Sequence, residues 1–562
     1  MKIVLISREY EPFFGGGIGS YTERFARALA SEGHHPIVVT VSADGLPLRE
    51  ERAGVVVLRL PFICASDWSA PHPRLDTPEH RAAFETFSPV SVFAMQIARA
   101  LPGLIEAERP DVIEAPECGA LAWFALNQRR AGRGLGLGLS APANLEPPLI
   151  THLHSPTEWI EQWNRDPGLE GPGDHLRAME RDVARWADAL VCPSLALGRW
   201  ASETWRTPTP ANIPYPLGPL EADARAVLRA PPTPSPSLRR LLFIGRLEAR
   251  KGIDTLLAGF ALAARRLPDL ELHLVGRDTR DRRSGMLFGE RACALLVPPD
   301  LRPRVVFRGS LNQDEVQRET RSADACVFPA PMDNFPFACV ETIARGRLVL
   351  STAVGGMGEV LRPDTDAILF EPHSPEACAA AIERAAALSP QSRADLASSG
   401  TRRILDLMSN RSVVHRRVEH FRAVIAGHRA RRLPLPDPAH VAIVADPLAE
   451  ALSPVSRDRL ARSISPSVAF AHGWVRSSDD KVRVFDTPDP DALRRTRAPL
   501  GPVALDRRLL DRPEVASLIE PAPDGAFFTR STLDLARALA DLGLPGAVIP
   551  DATTRLLEDV QP

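Results

Sequence analysis

Lysine is almost absent from this chain of 562 residues, which has only Lys2, Lys251 and Lys481. The other basic residues are arginines, and a formal net charge of -2 gives no general basis for binding nucleic acid. We interpret the arginine excess as a bias of genome composition. A lysine that is kept in a loop is therefore a candidate for a role that needs a compact positive charge.

Paired cysteines and long apolar runs are also missing. The seven cysteines show no C-x-x-C spacing and mostly lie in apolar stretches, which predicts reduced, buried thiols in a cytoplasmic protein. No apolar run approaches the length of a transmembrane helix. The chain opens directly on a strand pattern, KIVLIS, so we expect no signal peptide.

The sequence does contain a regular alternation of short apolar strands and amphipathic helices. This rhythm runs through the first 200 or so residues, stops in a proline-rich segment and restarts near residue 240. Alternation of this kind predicts doubly wound α/β domains, whose ligands lie at the carboxyl ends of parallel strands. The length predicts two to four domains.

The stretch 333–359 combines two acids eight residues apart with a strand and a Gly-Gly turn. Phe335-Pro336 predicts a helix start that places Glu341 within the first two turns. Gly355-Gly356 precedes a second predicted helix, which starts at about residue 357. Unpaired N–H groups at two helix starts suit phosphate, whereas carboxylates suit hydroxyl groups. The stretch predicts a site for a sugar attached to a phosphate, with an ordinary βα unit as the alternative.

A glycine-rich loop follows the first predicted strand. It contains Gly15, Gly16, Gly17 and Gly19, which let the backbone approach a ligand closely. Ser20 and Glu23 have the spacing of a capping box at the start of the next helix. A dinucleotide fingerprint is the rival interpretation, but Thr22 stands where its third glycine would be, and the loop is too long.

Two further strand ends carry candidate side chains. The strand LITHLH is predicted to end at His154, whose imidazole suits a phosphate oxygen or a proton transfer, with a packed histidine as the alternative. His152 alternates to the opposite face and is the weaker candidate. After the strand 241–245, the loop GRLEARKG contains Arg246 and Lys251. Their charges suit a diphosphate leaving group.

Together these motifs resemble the GT-B glycosyltransferases, specifically the family-4 (group 1) retaining enzymes. The matching segments span roughly residues 1 to 425 and include THLHSP, GRLEARKG, VFPAPMDNFPFACVETIARG and STAVGGMGE. The resemblance implies a nucleotide-diphosphate sugar on the C-terminal domain and an acceptor mainly on the N-terminal domain. One departure is Asp333, because the family commonly has glutamate there; the shorter acid predicts a changed sugar preference.

By that resemblance, Arg246 and Lys251 neutralise the diphosphate, Glu341 binds ribose hydroxyls and His154 lies near the transferred sugar. The candidate catalytic residues are His154, Arg246, Lys251 and Asp333. The candidate donor-binding residues are Gly15, Gly16, Gly17, Arg246, Lys251, Phe335, Glu341, Gly355 and Gly356. We expect no metal and no cofactor, because the family needs none and no D-x-D pair or histidine cluster stands near the predicted cleft.

The predicted fold class is α/β, with two doubly wound Rossmann-like domains facing a cleft and a small C-terminal α/β accessory domain. The predicted order is an acceptor domain (1–215), a proline-rich linker (216–238), a donor domain (239–405), a helix returning to the first domain (406–432) and the accessory domain (439–562). The end of the accessory domain faintly resembles the last portion of GT-A transferases.

The predicted activity is retaining transfer from a UDP- or GDP-sugar to a saccharide or lipid-linked acceptor, in bacterial cell-surface polysaccharide, lipopolysaccharide or glycolipid synthesis. A GT-B phosphorylase, a nucleotide-sugar epimerase and a catalytically weakened binding scaffold are the alternatives. Front-side attack and a covalent intermediate both stay open. We expect the arginine-rich face of the helix 406–432 to be solvated or interdomain; contact with anionic lipid at the inner membrane face is the alternative.

Overall fold

The computed structural model describes residues 1–12, 16–42, 46–60, 89–130, 146–164, 172–233, 235–280 and 285–430, with short segments between 441 and 555. The candidate residue Gly15 lies outside the described residues. Within the described ranges, no helix is long and apolar enough to cross a membrane.

The first domain is built on an eight-stranded sheet with helices on both faces. Its strands are β1 (Lys2–Ile6), β2 (His35–Val41), β3 (Arg49–Arg52), β4 (Val55–Leu60), β5 (Val112–Pro116), β6 (Leu149–His152), β7 (Ala189–Cys192) and β8 (Ala211–Asn212). Its helices are α1 (Gly17–Ser31), α2 (Pro89–Glu108), α3 (Trp123–Arg130), α4 (Thr157–Asn164), α5 (Pro172–Trp186) and α6 (Leu195–Thr204). The strand order is β3-β4-β2-β1-β5-β6-β7-β8, in which the β3–β4 pairing is antiparallel and the other pairings are parallel.

The second domain has a six-stranded, wholly parallel sheet. Its strands are β9 (Arg240–Ile244), β10 (Glu271–Val275), β11 (Val305–Gly309), β12 (Ala325–Phe328), β13 (Leu348–Thr352) and β14 (Ile368–Phe370), in the order β11-β10-β9-β12-β13-β14. Its helices and those flanking it are α7 (Leu220–Arg229), α8 (Ile253–Ala264), α9 (Phe288–Leu296), α10 (Gln313–Ser322), α11 (Phe337–Ala344), α12 (Gly355–Val360), α13 (Pro375–Ala387), α14 (Pro390–Met408) and α15 (Asn410–Ala430). Short 3-10 turns cover Ala249–Lys251 and Arg302–Arg304.

Both sheets follow from near-continuous apolar runs. The strand β12 reads ACVF and is buried throughout, as expected for a strand that helices cover on both faces. The carboxyl ends of β9, β12 and β13 meet at one edge because neighbouring parallel strands run in the same direction. The predicted α/β class with two doubly wound domains is confirmed, and this edge positions the candidate site.

The chain crosses twice between the domains. The predicted linker contains α7, which packs against α11 and α14 of the second domain. The helix α15 returns and packs against α1, where the Phe421 and Phe25 rings lie 6.5 Å apart. On α15, Arg417 is buried and Arg416 donates to the Asn212 carbonyl at 2.7 Å. This part of the helix therefore forms an interdomain face.

The described C-terminal segments form a third sheet. Its strands are β15 (Val441–Ala445), β16 (Phe470–Arg476), β17 (Val482–Arg483), β18 (Val503–Asp506), β19 (Glu520–Pro521), β20 (Phe527–Phe528) and β21 (Gly546–Arg555). Four pairings are antiparallel, whereas β15 with β20 and β16 with β21 are parallel. The suggested kinship with GT-A transferases stays a prediction.

Candidate active site

A cavity of about 100 Å³ opens at the carboxyl ends of β9, β12 and β13. Its lining includes Lys251 and Asp333, together with Phe337, Ser351 and Thr352. Small-molecule sites usually measure roughly 300–1,000 Å³. A nucleotide sugar can therefore enter only if this cavity widens. We call the present arrangement closed, because side chains of the two domains contact each other directly beside the cavity.

An ion pair between Lys251 and Asp333 forms the charged wall of the cavity. The Lys251 ammonium contacts Asp333 Oδ2, and Arg250 Nη1 lies 3.9 Å from Asp333 Oδ1. Burial acts to raise the pKa of Asp333, but the charges of Lys251 and Arg250 outweigh it and hold that pKa below its usual value. Burial lowers the pKa of Lys251, and Asp333 opposes that shift. Each member of the pair therefore favours the charged form of the other.

The Gly-Gly turn packs closely against the backbone of Asp333 and Asn334. Gly355 has a φ of +53°, and an added Cβ there would overlap the Asp333 carbonyl oxygen. An added Cβ at Gly356 would overlap the carbonyl of Asn334 and the ring of Phe335. The helix α12 starts at Gly355 rather than near residue 357, because Val354 already has the extended conformation of an N-cap. Both glycines are needed for this close approach.

Glu341 does not line the cavity. Its carboxylate pairs with Arg24 of α1, across the domain boundary. The Arg24 guanidinium also lies over the Phe337 ring, with Cζ 4.7 Å from the centroid. The predicted ribose-binding acid is thus partly satisfied by the first domain, and no local pattern of sequence indicates a pair 317 residues apart.

Two other predicted donor-binding residues lie beside the cavity rather than on its wall. Arg246 is about half exposed and its Nη2 lies 3.3 Å from Glu248 Oε1. Phe335 is a core residue whose ring packs edge-on against Tyr215 at 5.3 Å. The aromatic residues on the cavity wall are instead Phe243, Phe328 and Phe337. The cause is the helix start: α11 begins at Phe337, so the preceding phenylalanine turns into the core.

His154 lies in the first domain, where it lines a second, much smaller cavity with Tyr21 and Glu114. Its Nδ1 is 2.7 Å from the Tyr215 hydroxyl. Burial, with the neighbouring His152, lowers the pKa of His154 well below its usual value, so the ring is neutral at neutral pH.

The prediction that His152 faces the opposite side is wrong. Residues two positions apart in a strand lie on the same face, so alternation along LITHLH already places His152 on the side of His154, and β6 itself ends at His152. The two imidazoles stack with ring centroids 4.2 Å apart. Burial lowers the pKa of His152 to about 3, and its Nδ1 lies 3.0 Å from Glu114 Oε1. His152 therefore packs against the ring of His154 and holds it in place.

Tyr215 lies between His154 and Phe337, which line different cavities. Its ring stacks on His154 at 5.6 Å and on Phe337 at 5.0 Å, with an interplanar angle of only 6° for the second contact. In this closed arrangement His154 and Lys251 line different cavities, with the stacked rings between them. Sequence reasoning missed Tyr215, although the chain has only three tyrosines and scarcity singled out Lys251 in the same way.

Of the described glycines in the glycine-rich loop, Gly17 faces the donor domain. Gly17 begins α1, and an added Cβ there would lie 3.1 Å from the Phe337 ring. Gly16 is the N-cap, and an added Cβ would lie 3.7 Å from Glu9 Oε2. The predicted capping box is wrong, because α1 begins before Ser20 and the Ser20 hydroxyl donates to the Gly16 carbonyl at 3.4 Å. Glycine as the N-cap leaves the first N–H groups of α1 without a side-chain cap.

Two buried carboxyl groups hold the loop that carries His154. Glu117 accepts the backbone N–H groups of His154 and Ser155 at 2.7 and 2.6 Å. Glu180 accepts the N–H of Thr157 at 2.7 Å. Burial and the charge of Glu180 raise the pKa of Glu117 to about 8, and burial raises that of Glu180 to about 7. Nothing in the spacing of these acids along the chain indicates that they meet.

Comparisons with known proteins agree with this arrangement. A model described as Glycosyl transferase 4-like domain matches residues 16–218, and one described as Glycosyl transferases group 1 matches residues 239–387. Together the matches cover more than half of the chain. The chain belongs to the group 1 glycosyltransferases.

This glycosyltransferase is similar to an uncharacterized glycosyltransferase of Methanocaldococcus jannaschii, with 25% identity over 394 residues, 68% of this chain and 88% of that protein. It is 22% identical to glycogen synthase of Mycobacterium tuberculosis over 395 residues, 68% of this chain and 85% of that protein. Sucrose-phosphate synthase from Thermosynechococcus elongatus has a similar structure, with a TM-score of 0.54, 22% identity and coverage of 76% of this chain and 99% of that one. This structural similarity confirms the GT-B fold.

Among the described residues of the glycosyltransferase, no group of three or more histidine, cysteine, aspartate or glutamate side chains could hold a metal ion. The positive charge at the cavity comes from Lys251, with Arg250 behind Asp333. A diphosphate could therefore be met by protein cations at this strand edge.

Proposed function

We propose that the glycosyltransferase moves a hexosyl group from a UDP- or GDP-sugar to a hydroxyl group of a saccharide or lipid-linked acceptor, with retention of anomeric configuration. The observation that carries this proposal is the Lys251–Asp333 pair, which lies on the wall of a cavity at the carboxyl ends of parallel strands. Ligands of doubly wound domains bind at such an edge.

The pair suggests how the donor enters. The diphosphate has two negatively charged groups and competes with Asp333 for the ammonium of Lys251. As Lys251 turns to the diphosphate, the Asp333 carboxylate becomes free to accept a hydrogen bond from a sugar hydroxyl. Arg250 at 3.9 Å keeps that carboxylate charged during the exchange. We propose that these protein cations carry the charge of the leaving group.

The transfer step breaks the bond between the anomeric carbon and the phosphate oxygen. The acceptor oxygen forms the new bond on the same face, and its proton passes to the departing phosphate. We favour this front-side route because Asp333, the carboxylate on the cavity wall, is assigned here to a sugar hydroxyl and keeps Arg250 as a cationic partner after Lys251 has turned to the diphosphate. We place the activity in the synthesis of cell-surface polysaccharide, lipopolysaccharide or glycolipid.

A screen of nucleotide sugars for slow hydrolysis tests this function without knowledge of the acceptor. We expect at least one UDP- or GDP-hexose to release its nucleoside diphosphate, and NMR to show that the sugar first released keeps the donor's anomeric configuration. Conversion of one nucleotide sugar into another, without release of nucleotide, would indicate an epimerase instead. Release of the opposite anomer would contradict retention.

A further inference from the structure

The side chain of Asn334 joins the two domains at the candidate active site. It is 3% exposed, its Oδ1 accepts from Ser194 Oγ at 2.5 Å, and its Nδ2 donates to the His154 carbonyl at 2.6 Å. A carbonyl oxygen can only accept, so the amide nitrogen must face His154. One buried amide therefore contacts two strand ends of the first domain with both of its polar atoms.

The backbone of Asn334 forms a hydrogen bond within the donor half of the site. Its carbonyl oxygen accepts the N–H of Gly356 at 2.8 Å, and the residue before it is Asp333, the partner of Lys251. Asn334 thus lies between the Gly-Gly turn and the peptide of His154. Two further hydrogen bonds join the domains nearby: Glu359 of α12 accepts the N–H groups of Leu195 and Ala196 at 2.8 and 2.9 Å.

We infer that Asn334 is a positioning residue that fixes the His154 peptide against the loop that carries Asp333 in the closed enzyme. This inference rests on the proposed function and adds to it a residue that acts through His154 and Asp333, without touching the substrate itself. Misplacement of reacting groups by about 1 Å can lower the rate on the order of 100-fold. The geometry requires an amide, because one neighbour donates and the other accepts.

Asn334→Asp tests the inference with almost no change of shape. The carboxylate still accepts from Ser194, but it cannot donate to the His154 carbonyl and repels that oxygen. We expect kcat for release of nucleoside diphosphate to fall about 10- to 100-fold. The Kd of UDP or GDP, whichever binds the wild type, should stay within about twofold, because the cations of the donor site are untouched. Calorimetry gives Kd, and a coupled nucleotide assay gives kcat.

Asn410→Asp is the matched control. Asn410 also uses both amide atoms at a domain crossing, accepting from the Gly218 N–H at 2.7 Å and donating to the Gly218 carbonyl at 3.0 Å, away from the cavity. We expect its kcat to stay within about twofold of the wild type. Asn334→Ala is measured beside Asn334→Asp, because it removes both hydrogen bonds without burying a charge and should show the same split between kcat and Kd.

Three results would overturn the inference: a kcat for both Asn334 variants close to that of the wild type, equal losses in Asn410→Asp, or a parallel loss of nucleotide binding. The last result would mean that Asn334 acts on donor binding rather than on closure. A wild type that neither binds nor releases any nucleoside diphosphate would instead overturn the proposed function, and the inference with it.

Discussion

Replacing Lys251 with alanine is expected to abolish the rise in melting temperature that UDP or GDP causes in the wild type, and to lower kcat by about 10²- to 10³-fold. The ammonium of Lys251 lies on the cavity wall and contacts Asp333. Without it, a diphosphate would meet the charge of Asp333, which only Arg250 at 3.9 Å would then offset. Differential scanning fluorimetry with each nucleotide, followed by the donor-hydrolysis assay, measures both effects.

Three variants separate loss of charge from loss of stability. Lys251→Arg keeps the positive charge and should retain part of the nucleotide-induced shift, although a planar guanidinium fits differently. Lys251→Ala combined with Asp333→Asn removes the unpaired acid and should restore stability without restoring the shift. Arg266→Ala removes a surface cation that is 74% exposed and pairs with Glu383, and should behave as the wild type.

A normal nucleotide-induced shift in Lys251→Ala would contradict the assignment of this cavity as the donor site. A shift that disappears in Lys251→Ala but returns in the double variant would mean that burial of an unpaired Asp333, rather than absence of the cation, blocks binding. Both outcomes can be told apart in one set of melting curves.

Replacing Arg417 with alanine should lower the free energy of unfolding of the first domain by about 3–5 kcal/mol. Arg417 on α15 pairs with Glu114 in the middle of β5, and both side chains are almost fully buried. The guanidinium also lies over the rings of Phe25 and Phe421, at 4.9 and 5.1 Å. The variant leaves a buried carboxylate whose remaining partners are Tyr21 and His152.

Urea denaturation followed by tryptophan fluorescence measures this effect, because seven of the eight tryptophans precede residue 206. Glu114→Gln combined with Arg417→Met removes both charges at similar volume, and we expect its stability to approach that of the wild type. Arg422→Ala, on the exposed side of the same helix, should change the free energy by less than about 0.5 kcal/mol. A loss below about 1 kcal/mol in Arg417→Ala would contradict the account of α15 as a helix fastened to the first domain.

Apolar runs and glycines allowed most of the central fold to be predicted from the sequence. Strands such as β2 and β12 were predictable as central strands of a covered sheet, because nearly all of their residues are apolar and buried. The edge strand β3 was missed because REER has no apolar face and pairs only at the border of the sheet. The helix α7 was missed because prolines on both sides marked its whole segment as a linker.

The site was predictable in part, for reasons that particular residues show. Lys251 and Asp333 were each recognisable at a strand end, but their direct contact depends on how two loops pack. The pairing of Glu341 with Arg24, and the two hydrogen bonds of Asn334 to the first domain, join residues 140 or more positions apart. Only the docking of one domain on the other creates such contacts. Local periodicity therefore could not reveal them.

We propose that the cavity beside Lys251 is the donor half of an interdomain site for a nucleotide-diphosphate sugar. Isothermal titration of the wild type with UDP and GDP tests this assignment, with Lys251→Ala as the control. We expect saturable binding of at least one of the two nucleotides, at one site per chain, and loss of that binding in the variant. No heat of binding from either nucleotide, or equal affinity in Lys251→Ala, would contradict it.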